Sequence, residues 1–275
     1  MRKLSVKEII ALIKSKTTFE AVADDYSFRL KIENYVPYLC GAVHDGHQFR
    51  QSLWDYCLHS EYERWYEEDP CTHQMVHNQP IVITGCDSRF EYDLNRPPET
   101  AIFDTAWGKQ LWKEPLSKKE KSASLNKHGA FYQVVHALVD QLEKMHGTVI
   151  VFDIHSYNWK RWDRTVPTWN LGTVNVDNQR FGTIISAWST KLGTMRLGEG
   201  IPQTSLINDT FQGNGYFLKY ITQNFDNTLV LATEIAKVYC DELSGIIYPE
   251  IVRSVQLHLK DLIPLQVKEF QERIV

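Results

Sequence analysis

The chain has 275 residues, 43% of them hydrophobic and 23% charged, with a formal net charge of −4 at pH 7. A chain this long can bury a core without staples, and these ordinary fractions exclude disorder, collagen and coiled coil. The mildly acidic balance argues against nucleic-acid or anionic-membrane binding, and no apolar run approaches the ~20 residues of a membrane helix. Lys7, Glu8, Lys14 and Lys16 interrupt what a signal peptide would need as an apolar core, which predicts a cytoplasmic protein. Five cysteines, scattered and never in C-x-x-C spacing, read as free thiols rather than a disulfide framework or zinc knuckle.

In chain order, Ser5 and Glu8 form a capping-box pattern that predicts a first helix. Residues 38–43 and 81–84 are short apolar runs that read as buried strands. Residues 113–127, rich in Lys and Ser, read as a surface excursion. Phe131, Val134, Val135, Leu138, Val139, Leu142 and Met145 recur at helical spacing, and Gly147 stands where a C-terminal cap belongs. Residues 148–153 and 228–233 are β-branched, almost wholly apolar runs, the pattern of central strands. The tail, 250–274, reads as helix with a break near Pro264. With no linker or repeat, one domain over residues 1–275 is the simplest organisation, and helix, tight turn, buried strand predicts an α/β sheet.

In such sheets ligands bind beyond the carboxyl ends of the strands. His44-Asp45-Gly46-His47 follows one predicted strand, Asp153-Ile154-His155 ends another, and Glu234 ends a third. Imidazoles suit zinc, although a bare H-x-x-H also fits a surface turn. Asp153 is either a ligand neighbour or a partner that orients His155. A carboxylate at the end of an apolar strand is rare unless paired or functional. Between residues 87 and 97, alternation puts Arg89, Glu91, Asp93 and Asn95 on one side if the segment stays extended. Arg96 with Asn95 suits a carboxylate clamp, and an ion-pair network is the other reading of the same residues.

Taken in order, His44–His47, Glu67-Glu68-Asp69-Pro70, Ser88–Arg96, Asp153–Asn158, Asn170–Thr173, Phe211–Tyr216 and Glu234–Lys237 resemble the N-formylglutamate amidohydrolase family. That family is similar to zinc carboxypeptidases and aspartoacylases. The resemblance implies a three-layer α/β/α sandwich with a mixed central sheet, of the phosphorylase/hydrolase type. It implies one Zn²⁺ per chain held by His44, His47 and His155. His47 stands where relatives carry Glu, and Glu68 or Asp69 is the alternative second ligand. It further implies Glu234 as general base, Arg89 as the group that polarises the scissile carbonyl, and Asn95 and Arg96 as the clamp on a substrate carboxylate. Arg161, in a basic and aromatic stretch directly after His155, adds an anion contact. The expected substrate is a small acidic N-acyl amino acid such as N-formylglutamate, with neither nucleic acid nor membrane as partner. A carboxypeptidase-like or other N-acyl amino-acid hydrolase is the rival enzyme, and a non-catalytic metabolite-binding module is the rival from another class. G-x-S-x-G and H-E-x-x-H are both missing, which argues against serine hydrolases and helical zinc proteases.

Overall fold

The computed structural model describes residues 1–274. The elements are β1 (Arg2–Leu4), α1 (Val6–Lys14), β2 (Phe19–Ala23), β3 (Phe28–Ile32), β4 (Tyr38–Ala42), α2 (Gln51–Trp54), α3 (Glu61–Glu67), α4 (Thr72–Val76) and β5 (Ile81–Gly85). A two-residue hairpin, β6 (Thr105–Ala106) and β7 (Lys109–Gln110), leads into α5 (Lys118–His146), β8 (Val149–Tyr157) and β9 (Trp169–Gly172). Then follow α6 (Asn178–Gly193), β10 (Ser205–Ile207), α7 (Tyr216–Asn224), β11 (Thr228–Ala236) and α8 (Pro249–Ile274).

Nine strands form one mixed sheet in the order β1-β2-β3-β5-β4-β8-β11-β9-β10. The run β5, β4, β8, β11 is parallel throughout, so four carboxyl ends lie side by side. Every residue of β4, β5 and β8 is buried, as expected for parallel strands covered on both faces. One helical layer holds α1, α5 and α7, the other α4, α6 and α8. This is the expected three-layer α/β/α sandwich. No described helix is long and apolar enough to cross a membrane, and all five cysteines are free.

The first helix carries the expected capping box, Ser5 with Glu8. Two local expectations fail. Residues 118–127 are not an excursion but the first turns of α5, where Ser124 is fully buried and Lys127 reaches Asp87 at 3.0 Å and Glu91 at 3.3 Å. Lys118, Lys119, Ser122 and Asn126 still face solvent, while Lys127 and Glu120 turn inward to the ion-pair network of Asp87, Glu91 and Arg50. α8 also runs through Pro264 without a break. Proline costs a helix interior about 3 kcal/mol, but Leu259, Ile263, Val267 and Phe270 are buried around it and hold the helix in place.

Candidate metal centre and cleft

His44 stands two residues past β4 and is buried. Asp153 and His155 lie within β8, two residues apart, and therefore point to one side of the sheet. Parallel pairing sets Glu234 of β11 directly beside His155. The strands β8 and β11 run to Tyr157 and Ala236, past their apolar runs, so both groups sit inside strands rather than beyond them.

Asp69 completes the cluster. Helix α3 ends at Glu67, and the chain turns so that the Asp69 amide donates to the His44 carbonyl at 2.9 Å. Its Oδ2 accepts from His155 Nδ1 at 3.0 Å and lies 3.4 Å from His44 Nδ1. His44, Asp69 and His155 thus form a buried group whose ligand atoms all lie within 4.8 Å of one another. The outer nitrogens are held by carboxylates. His44 Nε2 donates to Asp93 Oδ1 at 2.6 Å, and His155 Nε2 lies 2.9 Å from Asp153 Oδ1. Carboxylates behind imidazoles fix tautomer and ring orientation, as around metal-binding histidines. Asp93 takes that place for His44, while Asp153 stands at ion-pair distance from His155 without a hydrogen bond.

His47 does not join the cluster. Its Nδ1 meets Glu68 Oε2 at 2.5 Å, and its side chain is 44% exposed. The reason lies at Gly46: a Cβ there would stand 2.3 Å from the Cys86 carbonyl carbon. The 46–48 and 86–88 segments run in backbone contact, with Gln48 N bonded to Cys86 O at 3.0 Å. The glycine serves that close approach and carries His47 away from His44. Glu68 is occupied by His47 and by the Ser88 hydroxyl, which leaves Asp69 as the carboxylate at the centre.

The 88–96 segment is a series of turns, not an extended strand, with Glu91 N bonded to Ser88 O and Arg96 N to Asp93 O. Glu91 consequently faces Arg50 and Lys127 and leaves the site. Arg89 grips Asp93 Oδ2 through Nε at 3.2 Å and Nη2 at 2.7 Å, and Nη1 holds the Glu67 carbonyl. Arg96 is half exposed, 3.9 Å from Asp93 and 4.4 Å from the Phe103 ring centre. Asn95 accepts from the Phe217 amide at 3.0 Å, and its Nδ2 stands 3.5 Å from His155 Nε2. Arg161 pairs with Glu67 at 2.5 Å.

These groups line one cleft of about 450 Å³, together with Glu234, Lys237, Trp107, Trp162 and Phe211. Burial pushes Asp69 up, but the hydrogen bond from His155 and the nearby His44 imidazole outweigh it and hold its carboxyl well below the usual range. Asp93 is likewise buried and held low, chiefly by Arg89 and His44. Burial lowers His155, and Asp153 then Asp69 more than reverse it, leaving it well above the ordinary imidazole value. Glu234 is pushed up to about 8 by burial; His155 opposes this, and Asp69 and Asp153 add to it. Sequence reasoning missed Asp93 as a partner of His44, and it gave Lys237, the end of the Glu234–Lys237 motif, no role. A carboxylate two residues before the Asn-Arg pair was the one available signal for the former.

The α/β/α sandwich gathers these titratable groups toward the carboxyl ends of its parallel strands, and the family follows from the comparisons. The sequence model of the N-formylglutamate amidohydrolase family matches residues 36–239, and the chain belongs to that family. Its fold is similar to that of an N-formylglutamate amidohydrolase from Ralstonia eutropha JMP134, at TM-score 0.71 and 15% identity over 89% of this chain and 99% of that one. A gene product of Agrobacterium tumefaciens is similar at TM-score 0.67 and 16% identity, over 89% and 96% of the two chains. No curated protein matches the sequence.

Proposed function

We propose that the chain is a zinc-dependent amidohydrolase that cleaves the N-acyl amide of an acidic amino acid such as N-formylglutamate. One observation carries the metal reading: His44 Nδ1 is buried without a hydrogen-bond partner and faces the Asp69 carboxylate. An orphaned buried imidazole nitrogen is costly. Here it lies in one group with His155 and Asp69, an N, N, O donor set of the kind that would hold Zn²⁺. His44, Asp69 and His155 would hold the zinc, which when bound would acidify a water and act as a Lewis acid for the carbonyl.

The other steps belong to the side chains. Glu234, with no ion pair among the described residues and a raised pKa, takes the proton of the attacking water and returns it to the leaving nitrogen. Arg89, fixed by Asp93 and the Glu67 carbonyl, presents a preorganised positive charge to the developing oxyanion. Arg96 and the Asn95 amide bind the substrate carboxylate, Arg96 having kept its guanidinium largely uncommitted. Arg161 stands at the rim on Glu67.

Glu234→Gln tests this reading. The variant is expected to retain zinc and substrate affinity while hydrolysis falls by about 10²–10⁴-fold. Undiminished turnover would remove Glu234 from the mechanism, and loss of zinc would make it a ligand. Formylated, acetylated and peptidyl glutamates, assayed side by side, identify the acyl group.

A further inference from the structure

Four cationic side chains other than histidine line the cleft: Arg89, Arg96, Arg161 and Lys237. Arg89 is committed to Asp93 at 2.7 Å and Arg161 to Glu67 at 2.5 Å. Arg96 is half exposed and only 3.9 Å from Asp93. Lys237 differs from all three. It is 1% exposed, and among the described residues no carboxylate stands within the 4.0 Å of an ion pair.

Its ammonium donates once, to the Tyr66 carbonyl at 2.6 Å. The rings of Trp65 and Tyr66 lie 5.9 and 5.7 Å away, close enough for weak cation–π compensation. An ammonium has three N–H donors, and a buried one without an anion is costly. Capping α3 does not explain it, because Asn158 Nδ2 already donates to the same Tyr66 carbonyl at 2.8 Å. The backbone turn after β11, with Val238 N on Ala236 O at 2.6 Å, brings Lys237 to the cleft that Glu234 lines. Its neighbours Ala236 and Val238 line a separate cavity beside Trp159.

We propose that Lys237 is a second anion contact of this cleft, distinct from the Asn95–Arg96 clamp, so that the ligand carries two anionic groups. The inference rests on the amidohydrolase reading and deepens it: the two uncommitted cations select a dianionic amino acid over its neutral-side-chain counterpart.

The test uses the zinc-loaded protein, with L-glutamate and L-glutamine as probes in calorimetry and their N-formyl derivatives as substrates. Wild type is expected to favour glutamate. Lys237→Met should keep its zinc, lose glutamate affinity by roughly 10–100-fold, the value of a charged hydrogen bond, and bind glutamine as before. Lys237→Gln, which can still donate to Tyr66, should lose the same preference. A retained preference in either variant overturns the proposal. So does an equal loss for both amino acids, which would make Lys237 a support for α3. If wild type prefers glutamate through Lys237 yet hydrolyses neither formyl derivative, the anion contact stands and the hydrolase reading falls.

Discussion

Gly215→Ala probes the joint between fold and cleft. Gly215 caps α7 with φ −63° and ψ 148°, a backbone that alanine adopts freely, so strain is not the issue. Space is: an added Cβ would stand 2.3 Å from Asn95 Oδ1 and 2.5 Å from Nδ2. The Asn95 side chain must move, and with it goes the bond to the Phe217 amide, which is the cap that Gly215 has no side chain to supply. Overpacking costs about 1–3 kcal/mol and a lost cap about 1 kcal/mol, together on the order of 2–4 kcal/mol. At roughly 2–4 °C per kcal/mol, the melting temperature should fall by about 5–15 °C, read by circular dichroism. KM should rise as well, since Asn95 leaves the clamp. In an Asn95→Gly background the same substitution should cost almost nothing, because the clash and the bond have both gone. An unchanged melting temperature in the single variant, or an equal penalty in both backgrounds, would refute the reasoning.

Asp93→Asn should weaken zinc binding about 10–100-fold through the loss of its hold on His44, measured by chelator competition; wild-type affinity would show that Asp93 serves Arg89 alone. Lys127→Met leaves buried Glu91 with Arg50 and buried Asp87 with the Tyr92 hydroxyl but no cation and should cost about 3 kcal/mol in denaturant unfolding, a loss that a solvated lysine would not produce. Burial pushes His73 down to about 3, helped by Arg29. Its neutral form thus contributes stability that is full above the ordinary imidazole value near 6.5 and is lost as pH falls toward 3. His73→Gln should flatten that decline, and parallel pH profiles for the two proteins would contradict the assignment.

Strands were legible where burial on both faces leaves an unbroken apolar run, as at residues 148–153 and 228–233, and His155 and Glu234 were found because they interrupt such runs. The spacing of His44 and His47 left their convergence open because a glycine between two histidines has two meanings. At Gly46 it permits contact with Cys86, not convergence of the imidazoles. Asp69 and Glu68 are neighbours with the same charge, and only the turn after α3 decides which one faces His44. Alternation between Arg89 and Asn95 suggested an extended strand, but local bonds such as Asn95 N to Asp93 Oδ1 at 2.7 Å fold the segment into turns. The helix over residues 118–127 and its passage through Pro264 went unread for one reason: tertiary partners, Asp87 and Glu91 on Lys127 in one case and a buried apolar face in the other, outweigh local preference.

Zinc stoichiometry tests the central claim most directly. Purified wild type and the variants Asp69→Ala, His155→Ala and His47→Ala are dialysed against limiting zinc and assayed by elemental analysis, with circular dichroism to confirm folding. The proposed zinc centre predicts about one zinc per chain in wild type and in His47→Ala, and little in Asp69→Ala or His155→Ala. Full retention in Asp69→Ala with loss in His47→Ala would contradict it and return the second ligand to His47.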